Sequence, residues 1–222
     1  MKTRIASLTI LCLALAAVPA LAQSQFYENG PINGTTDAWT INFGYVVSDT
    51  FFTNNYNVVT GFNFGVWEFP GDSLMSVDYS ITDSENAPCP SELCLGNGTV
   101  AGKNLIDNFI SSNQFGYNID SANALIPGVQ VPEGVELWLN LSNAVVPSGD
   151  PVFWDENSGA GCNSPQCPSS ASESSVGTIP SESFTMFGTQ SSTSGTTPEP
   201  SSIMLFGSGI LGLAGLLRRK LF

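Results

Sequence analysis

Between the two ends of the chain, apolar and polar positions alternate with a period of two in one stretch after another. Trp39, Ile41, Phe43, Tyr45 and Val47 alternate with Thr40, Asn42, Gly44 and Ser48, with one lapse at Val46. Met75, Val77, Tyr79 and Ile81 alternate with Ser76, Asp78, Ser80 and Thr82, and Val135, Leu137, Leu139 and Leu141 with Glu136, Trp138, Asn140 and Ser142. Successive side chains of a strand point to opposite faces, so each run predicts a half-buried strand. Phe62, Phe64 and Val66, then Phe115, Tyr117 and Ile119, predict two shorter strands, and residues 152–154 and 184–187 are further candidates. No window shows helical periodicity. Turn signals separate the runs, among them Pro70-Gly71-Asp72, Gly96-Asn97-Gly98, Pro127-Gly128 and Pro147-Ser148-Gly149-Asp150. The pattern predicts an all-β fold, an antiparallel β-sandwich of about seven to nine strands with a jelly-roll-like course, over residues 23–187. That length suits one core and is short for two.

Two segments break the alternation. At the N-terminus, Lys2 and Arg4 precede an apolar run at 5–18, and Ala20-Leu21-Ala22 before Gln23 is a small-x-small cleavage site. Residues 1–22 therefore read as a Sec-type signal peptide, and Cys12 leaves with it. At the C-terminus, residues 201–217 carry no charge and make a helix of about 26 Å, close to the lower limit for a bilayer core. Arg218, Arg219 and Lys220 follow directly and act as a stop-transfer cluster, placing the preceding domain outside.

The charges sharpen this division. Five of the six basic residues sit at the ends, which leaves Lys103 alone against all nineteen acids. An acidic domain repels phosphate backbones, so nucleic acid is not an expected partner. Solubility outside the cell, or attraction of divalent cations, follows instead.

A plain anchor does not explain Pro198-Glu199-Pro200, set just before the apolar span and after the flexible linker 188–197 (GTQSSTSGTT). Two prolines hold the tripeptide extended and out of the helix. In order with the span and the basic cluster, at residues 198–222, it resembles the PEP-CTERM sorting signal of Gram-negative bacteria. The resemblance implies that exosortase, a membrane-embedded cysteine protease, reads Pro198, Glu199 and Pro200 while the span holds the precursor transiently in the inner membrane. It also implies a host that makes exopolysaccharide, and a mature protein at the cell surface or outside the cell. A sorting signal carries over a route and not an activity. The exported region similarly looks like ectodomains that recur beside such tails.

Four cysteines remain after processing, in two C-x4-C units: Cys89 with Cys94 and Cys162 with Cys167. In an exported protein they are expected to form disulfides, and of the three connectivities the local pairs are favoured because the units look like separate loop staples. Such small rings contribute roughly 2 kcal/mol each. A four-thiolate zinc site has the right spacing but competes with oxidation.

The chain has no histidine, which removes the commonest general base and the Ser-His-Asp and Cys-His arrangements. A two-carboxylate glycosidase could draw on Asp150, Asp155 and Glu156, but Asp155 and Glu156 on one strand point to opposite faces and cannot flank one bond. The expectation is a non-enzymatic protein. Asp150, Asp155, Glu156 and Asn157 are candidate calcium ligands, hard oxygens within one short stretch. Trp138 shares its strand face with Glu136 and Asn140 and is a candidate for stacking on a sugar ring. The function expected is that of a cell-surface or matrix protein associated with exopolysaccharide and biofilm, with a calcium-dependent carbohydrate-binding module as the alternative.

Overall fold

The computed structural model describes residues 24–87, 89–159 and 164–190. The expected signal peptide, Cys162, the sorting tripeptide, the apolar span and the basic cluster lie outside the described residues. All the described residues belong to one compact unit. Among the described residues no helix is long and apolar enough to cross a membrane.

Thirteen strands are formed among the described residues. The first five are β1 (Ser24–Glu28), β2 (Ala38–Thr40), β3 (Val46–Phe52), β4 (Val58–Glu68) and β5 (Ser76–Thr82). Next come β6 (Cys94–Ala101), a 3₁₀ turn (Gly102–Asn104), β7 (Leu105–Ser112), β8 (Asn118–Gln130) and β9 (Glu136–Val145). The last are β10 (Phe153–Asp155), β11 (Ala171–Glu173), β12 (Gly177–Ile179) and β13 (Phe184–Thr189), which runs past Phe187 into the stretch expected as linker. All pairings are antiparallel.

Two sheets result. In the first, β4 is the central strand: β8 pairs along one edge from Val58↔Gln130 to Glu68↔Asn118, and β7 pairs with β8 beyond it. The other edge of β4 is shared by β13, opposite Val58 to Phe64, and β10, opposite Val66 and Trp67. β1 lies outside β13, and β2 outside β10. The second sheet runs β12-β11-β3-β9-β5-β6. The expected alternation supplies the core between them: Phe62, Phe64 and Val66 on β4, Val77, Tyr79 and Ile81 on β5, and Leu137, Leu139 and Leu141 on β9 are all buried. Apolar area removed from water drives this packing at roughly 25 cal/mol per Å². The two-layered, antiparallel sandwich expected from the pattern is present.

Several local readings are corrected. The strand expected from Trp39 to Val47 is two strands, β2 and β3, broken by a turn in which Phe43 and Gly44 take positive φ (56° and 89°) and the Tyr45 amide donates to Asn42 O. Phe43 and Tyr45 are consequently exposed. Phe115 and Tyr117 lie in the hairpin turn between β7 and β8, and β8 begins only at Asn118. Pro127-Gly128 is no turn: β8 passes through it with a bulge, since Leu125 faces Gly61 but Val129 faces Val59.

Gly96-Asn97-Gly98 likewise belongs to strand β6. A Cβ at Gly96 would lie 2.6 Å from Val129 of β8, so glycine lets the two sheets meet there. The Ser-rich stretch before the last strand contains the β11–β12 hairpin, whose β11 extends the second sheet through β3. On β3 itself Ser48, Asp49 and Thr50 are all buried: Ser48 Oγ donates to Asn140 Oδ1, Thr50 Oγ1 accepts from the Ser170 amide, and Asp49, which shares the core-facing side with Val47 and Phe51, accepts from Ser169 Oγ and the Glu182 amide.

Candidate functional site

The outer face of the second sheet carries a polar cleft of about 440 Å³. Its floor is set by the period of two: Asp78 and Ser80 on β5, Asn97 and Thr99 on β6, and Asn140 and Ser142 on β9 alternate with inward apolar side chains. The Asp78 carboxylate accepts from Thr99 Oγ1 and from Asn143 Nδ2 (2.9 Å). One wall is the β5–β6 loop. Asn140 ties it down, accepting from the Asn86 amide (3.2 Å) and Ser48 Oγ (2.6 Å) while donating to Thr82 Oγ1 (2.8 Å). The Cys89–Cys94 disulfide, with Cα atoms 5.6 Å apart, staples the same loop. That pair is the one expected, and it takes two of the four thiols a zinc site would need. Cys167 is also disulfide-bonded, and Cys162, its expected partner, lies outside the described residues. Trp138 is half-buried on the same face of β9 but does not line the cleft.

The candidate calcium ligands go elsewhere. Asp150 stands on an exposed turn, where its carbonyl accepts from Asn42 Nδ2. Asp155 is fully buried where β13 gives way to β10 along the edge of β4. Its Oδ1 accepts from Trp67 Nε1 (2.7 Å) and the Gly34 amide (3.1 Å), and its Oδ2 from the Asn33 amide (3.0 Å) and Ser183 Oγ (3.0 Å). Gly65 makes room for this: a Cβ there would lie 2.6 Å from Asp155 Cβ. Glu156 forms a β-bridge with Glu182, and Asn157 donates to Asn29 O (2.7 Å) and accepts from the Gly159 amide (2.7 Å). Asp150, Asp155 and Glu156 do not converge within 4.8 Å, the span across one ion.

Buried acids recur beside this junction. Asp49 and Glu182 are both fully buried, the Glu182 amide donates to Asp49 Oδ2, and neither oxygen of the Glu182 carboxylate has a donor. Burial pushes both carboxyls well above their ordinary range, and for Glu182 the charges of Asp49, Glu156, Asp155 and Asp37 add to it. A carboxyl whose folded value is raised stabilises the fold fully below its unfolded value, and loses that contribution as pH rises through the folded one. For this pair the loss starts at about pH 4 to 4.5, the ordinary carboxyl values, and continues upward. Calorimetry should therefore show a melting temperature that falls from mildly acid pH through neutrality, with a shallower fall in Glu182→Gln. A melting temperature that rises over this range would contradict the assignment.

A third set of acids gathers at the end of the first sheet. Glu68 ends β4, Asp120 lies on β8 and Asp107 on β7, and the registers Val66↔Asp120 and Asp107↔Ala122 put all three on the core-facing side. One carboxylate oxygen from each lies within 4.8 Å of the others. Burial, then the charges of Asp107, Asp120 and Asp72, pushes Glu68 up to about 8. Burial and Asp107 push Asp120 up to about 6, and burial raises Asp107 against hydrogen bonds from the Leu74 amide and Ser73. Sequence reasoning missed this set because the residues come from three strands. The signal was the interruption of two apolar faces: Phe62, Phe64 and Val66 by Glu68, and Ala124 and Ala122 by Asp120.

The fold and its cleft define a class: a disulfide-stapled antiparallel β-sandwich ectodomain ahead of a C-terminal tail. The tail identifies the route, because residues 196–220 match the PEP-CTERM protein-sorting motif. The chain is thus an exported, exosortase-sorted protein whose membrane-anchored precursor is then processed. No curated protein matches the chain.

Proposed function

We propose that the mature protein is a non-enzymatic component of the cell surface or extracellular matrix, associated with exopolysaccharide and biofilm. The observation that carries this reading is the sorting motif at 196–220 behind a single β-sandwich. Two features support the absence of catalysis. The chain has no histidine, and Asp155, the best-placed acid of the glycosidase reading, is fully buried with both oxygens taken by protein donors. A β-sandwich suits such a role because the outer faces of its two sheets can present side chains on a rigid frame. Fractionation of the native host tests the proposal: the mature chain is expected with the exopolysaccharide, and its recovery only from the inner membrane would refute it.

The polar cleft favours a second reading, a calcium-dependent carbohydrate-binding module. Hydroxyl, amide and carboxylate groups on a fixed sheet face are the donors and acceptors a sugar requires. On a glycan array this module would give chelator-sensitive binding that is lost in Asp78→Ala. Binding of no glycan would leave the structural role alone.

A further inference from the structure

We infer that Glu68, Asp107 and Asp120 form a binding site for one divalent cation of the calcium class. Three carboxylates in a row of contacts would not by themselves make a site. What singles this set out is that Glu68 is fully buried, with both oxygens lacking a hydrogen-bond donor, and Asp107 Oδ1 lacks one too. The Leu74 amide, the backbone donor closest in effect on Glu68, makes its hydrogen bond to Asp107 Oδ2 at 2.9 Å, and Ser73 Oγ donates to the same atom. Three carboxylate oxygens, both of Glu68 and one of Asp107, are therefore buried without a donor.

No basic side chain offsets them. Lys103 is the sole Lys or Arg among the described residues, and it pairs with none of the three. Buried polar groups are normally hydrogen-bonded and buried charges normally paired or metal-bound, so a fully buried, unpartnered Glu68 carboxyl with an oxygen within 4.8 Å of one from Asp107 and one from Asp120 calls for a positive ligand. The donor set defines its class: all-oxygen, anionic ligands without nitrogen or sulfur select a hard cation. Calcium takes oxygens at roughly 2.3–2.6 Å, so two ligands of one ion stand up to roughly 5 Å apart, which matches the 4.8 Å within which these oxygens lie. Magnesium gives up its water reluctantly and demands strict octahedral geometry, which a fully buried Glu68 on a paired strand does not favour.

The frame is already built. Glu68 and Asp120 are fixed by the β4–β8 register and Asp107 by the β7–β8 register, so an ion here would tie the edge strand β7 to the centre of the first sheet. Through Ser73 and Leu74 it would also hold down the β4–β5 loop. None of the three acids lines the polar cleft, and the site does not depend on sugar binding.

Equilibrium dialysis of the chelator-stripped full-length chain in detergent, with calcium alone as the probe, tests the proposal. The expected result is one ion per chain with a dissociation constant of roughly 10⁻⁴–10⁻³ M, the range of extracellular modules, and a melting temperature several degrees higher with calcium than with chelator. Asp107→Asn should weaken binding at least tenfold, and Glu68→Gln should do the same. Each replaces a carboxylate by its isosteric amide, and Asp107 is only half-buried, so at least that variant keeps the fold. Asp150→Asn should bind as the wild type does. Failure of the wild type to bind calcium overturns the site, as does wild-type affinity in both Asp107→Asn and Glu68→Gln, or loss of the ion in Asp150→Asn. An equal response to magnesium overturns the assignment of the ion.

Discussion

Replacing Pro198 and Pro200 together by alanine should leave the chain uncleaved in the inner membrane of its native host, with the mature form reduced by about tenfold or more. The expectation comes from the backbone. Proline fixes φ, lacks an amide hydrogen and clashes with the preceding turn, so the two prolines hold Glu199 extended just ahead of the apolar span at 201–217. In a helix interior proline is about 3 kcal/mol less favourable than alanine. With both removed, nothing in the sequence stops the helix expected over 201–217 from continuing back through residue 198, and the extended peptide expected for the protease is lost. Pulse-chase immunoblotting of the precursor and the mature form checks this. Unchanged size and location in the double variant would mean that the tail is only an anchor.

Asp155→Ala should be among the most damaging single substitutions in the sandwich, costing roughly 3–5 kcal/mol. The carboxylate is fully buried and takes four donors: Trp67 Nε1, Ser183 Oγ and the amides of Asn33 and Gly34. Truncation leaves all four without an acceptor, three of them in buried positions, and each unsatisfied buried group carries its own desolvation cost. For a chain of this size the loss corresponds to a fall in melting temperature of about 10 °C or more. Asp155→Asn should lie between, since its one carbonyl oxygen can still accept from Trp67 and Gly34. Thermal denaturation followed by circular dichroism reads both. A melting temperature for Asp155→Ala within about 2 °C of wild type would show that the carboxylate does not hold the β10–β13 junction.

Where burial is one-sided, the sequence was easy to read. β4, β5 and β9 carry the alternation that places Phe64, Ile81 and Leu139 in the core, and those strands form where expected. The difficulties arise where a second influence acts on the same residues. At Phe43 and Gly44 the alternation continues in sequence, but the backbone turns at positive φ and sends Phe43 into solvent. At Pro127-Gly128 a strong turn signal is absorbed as a bulge, because β4 pairs with β8 on both sides of it.

On β3 the polar residues Ser48, Asp49 and Thr50 are buried by partners far away in the chain, Asn140, Ser170, Ser169 and Glu182. The site readings divide in the same way. The Cys89–Cys94 staple is local in sequence and forms as expected. The acids at 150–157 are near in sequence yet serve different parts of the fold, whereas Glu68, Asp107 and Asp120 are distant in sequence and meet through strand pairing. Proximity along the chain was a poor guide to a constellation that only the register creates.

Intact-mass spectrometry of the protein purified from its native host bears most directly on the exported, exosortase-processed sandwich described here. The expected mass corresponds to a chain that starts at Gln23, retains the sandwich through Thr189, lacks Arg218, Arg219 and Lys220, and has its four remaining cysteines oxidised. A mature chain that still carries the basic cluster and the terminal Leu221-Phe222 would contradict it.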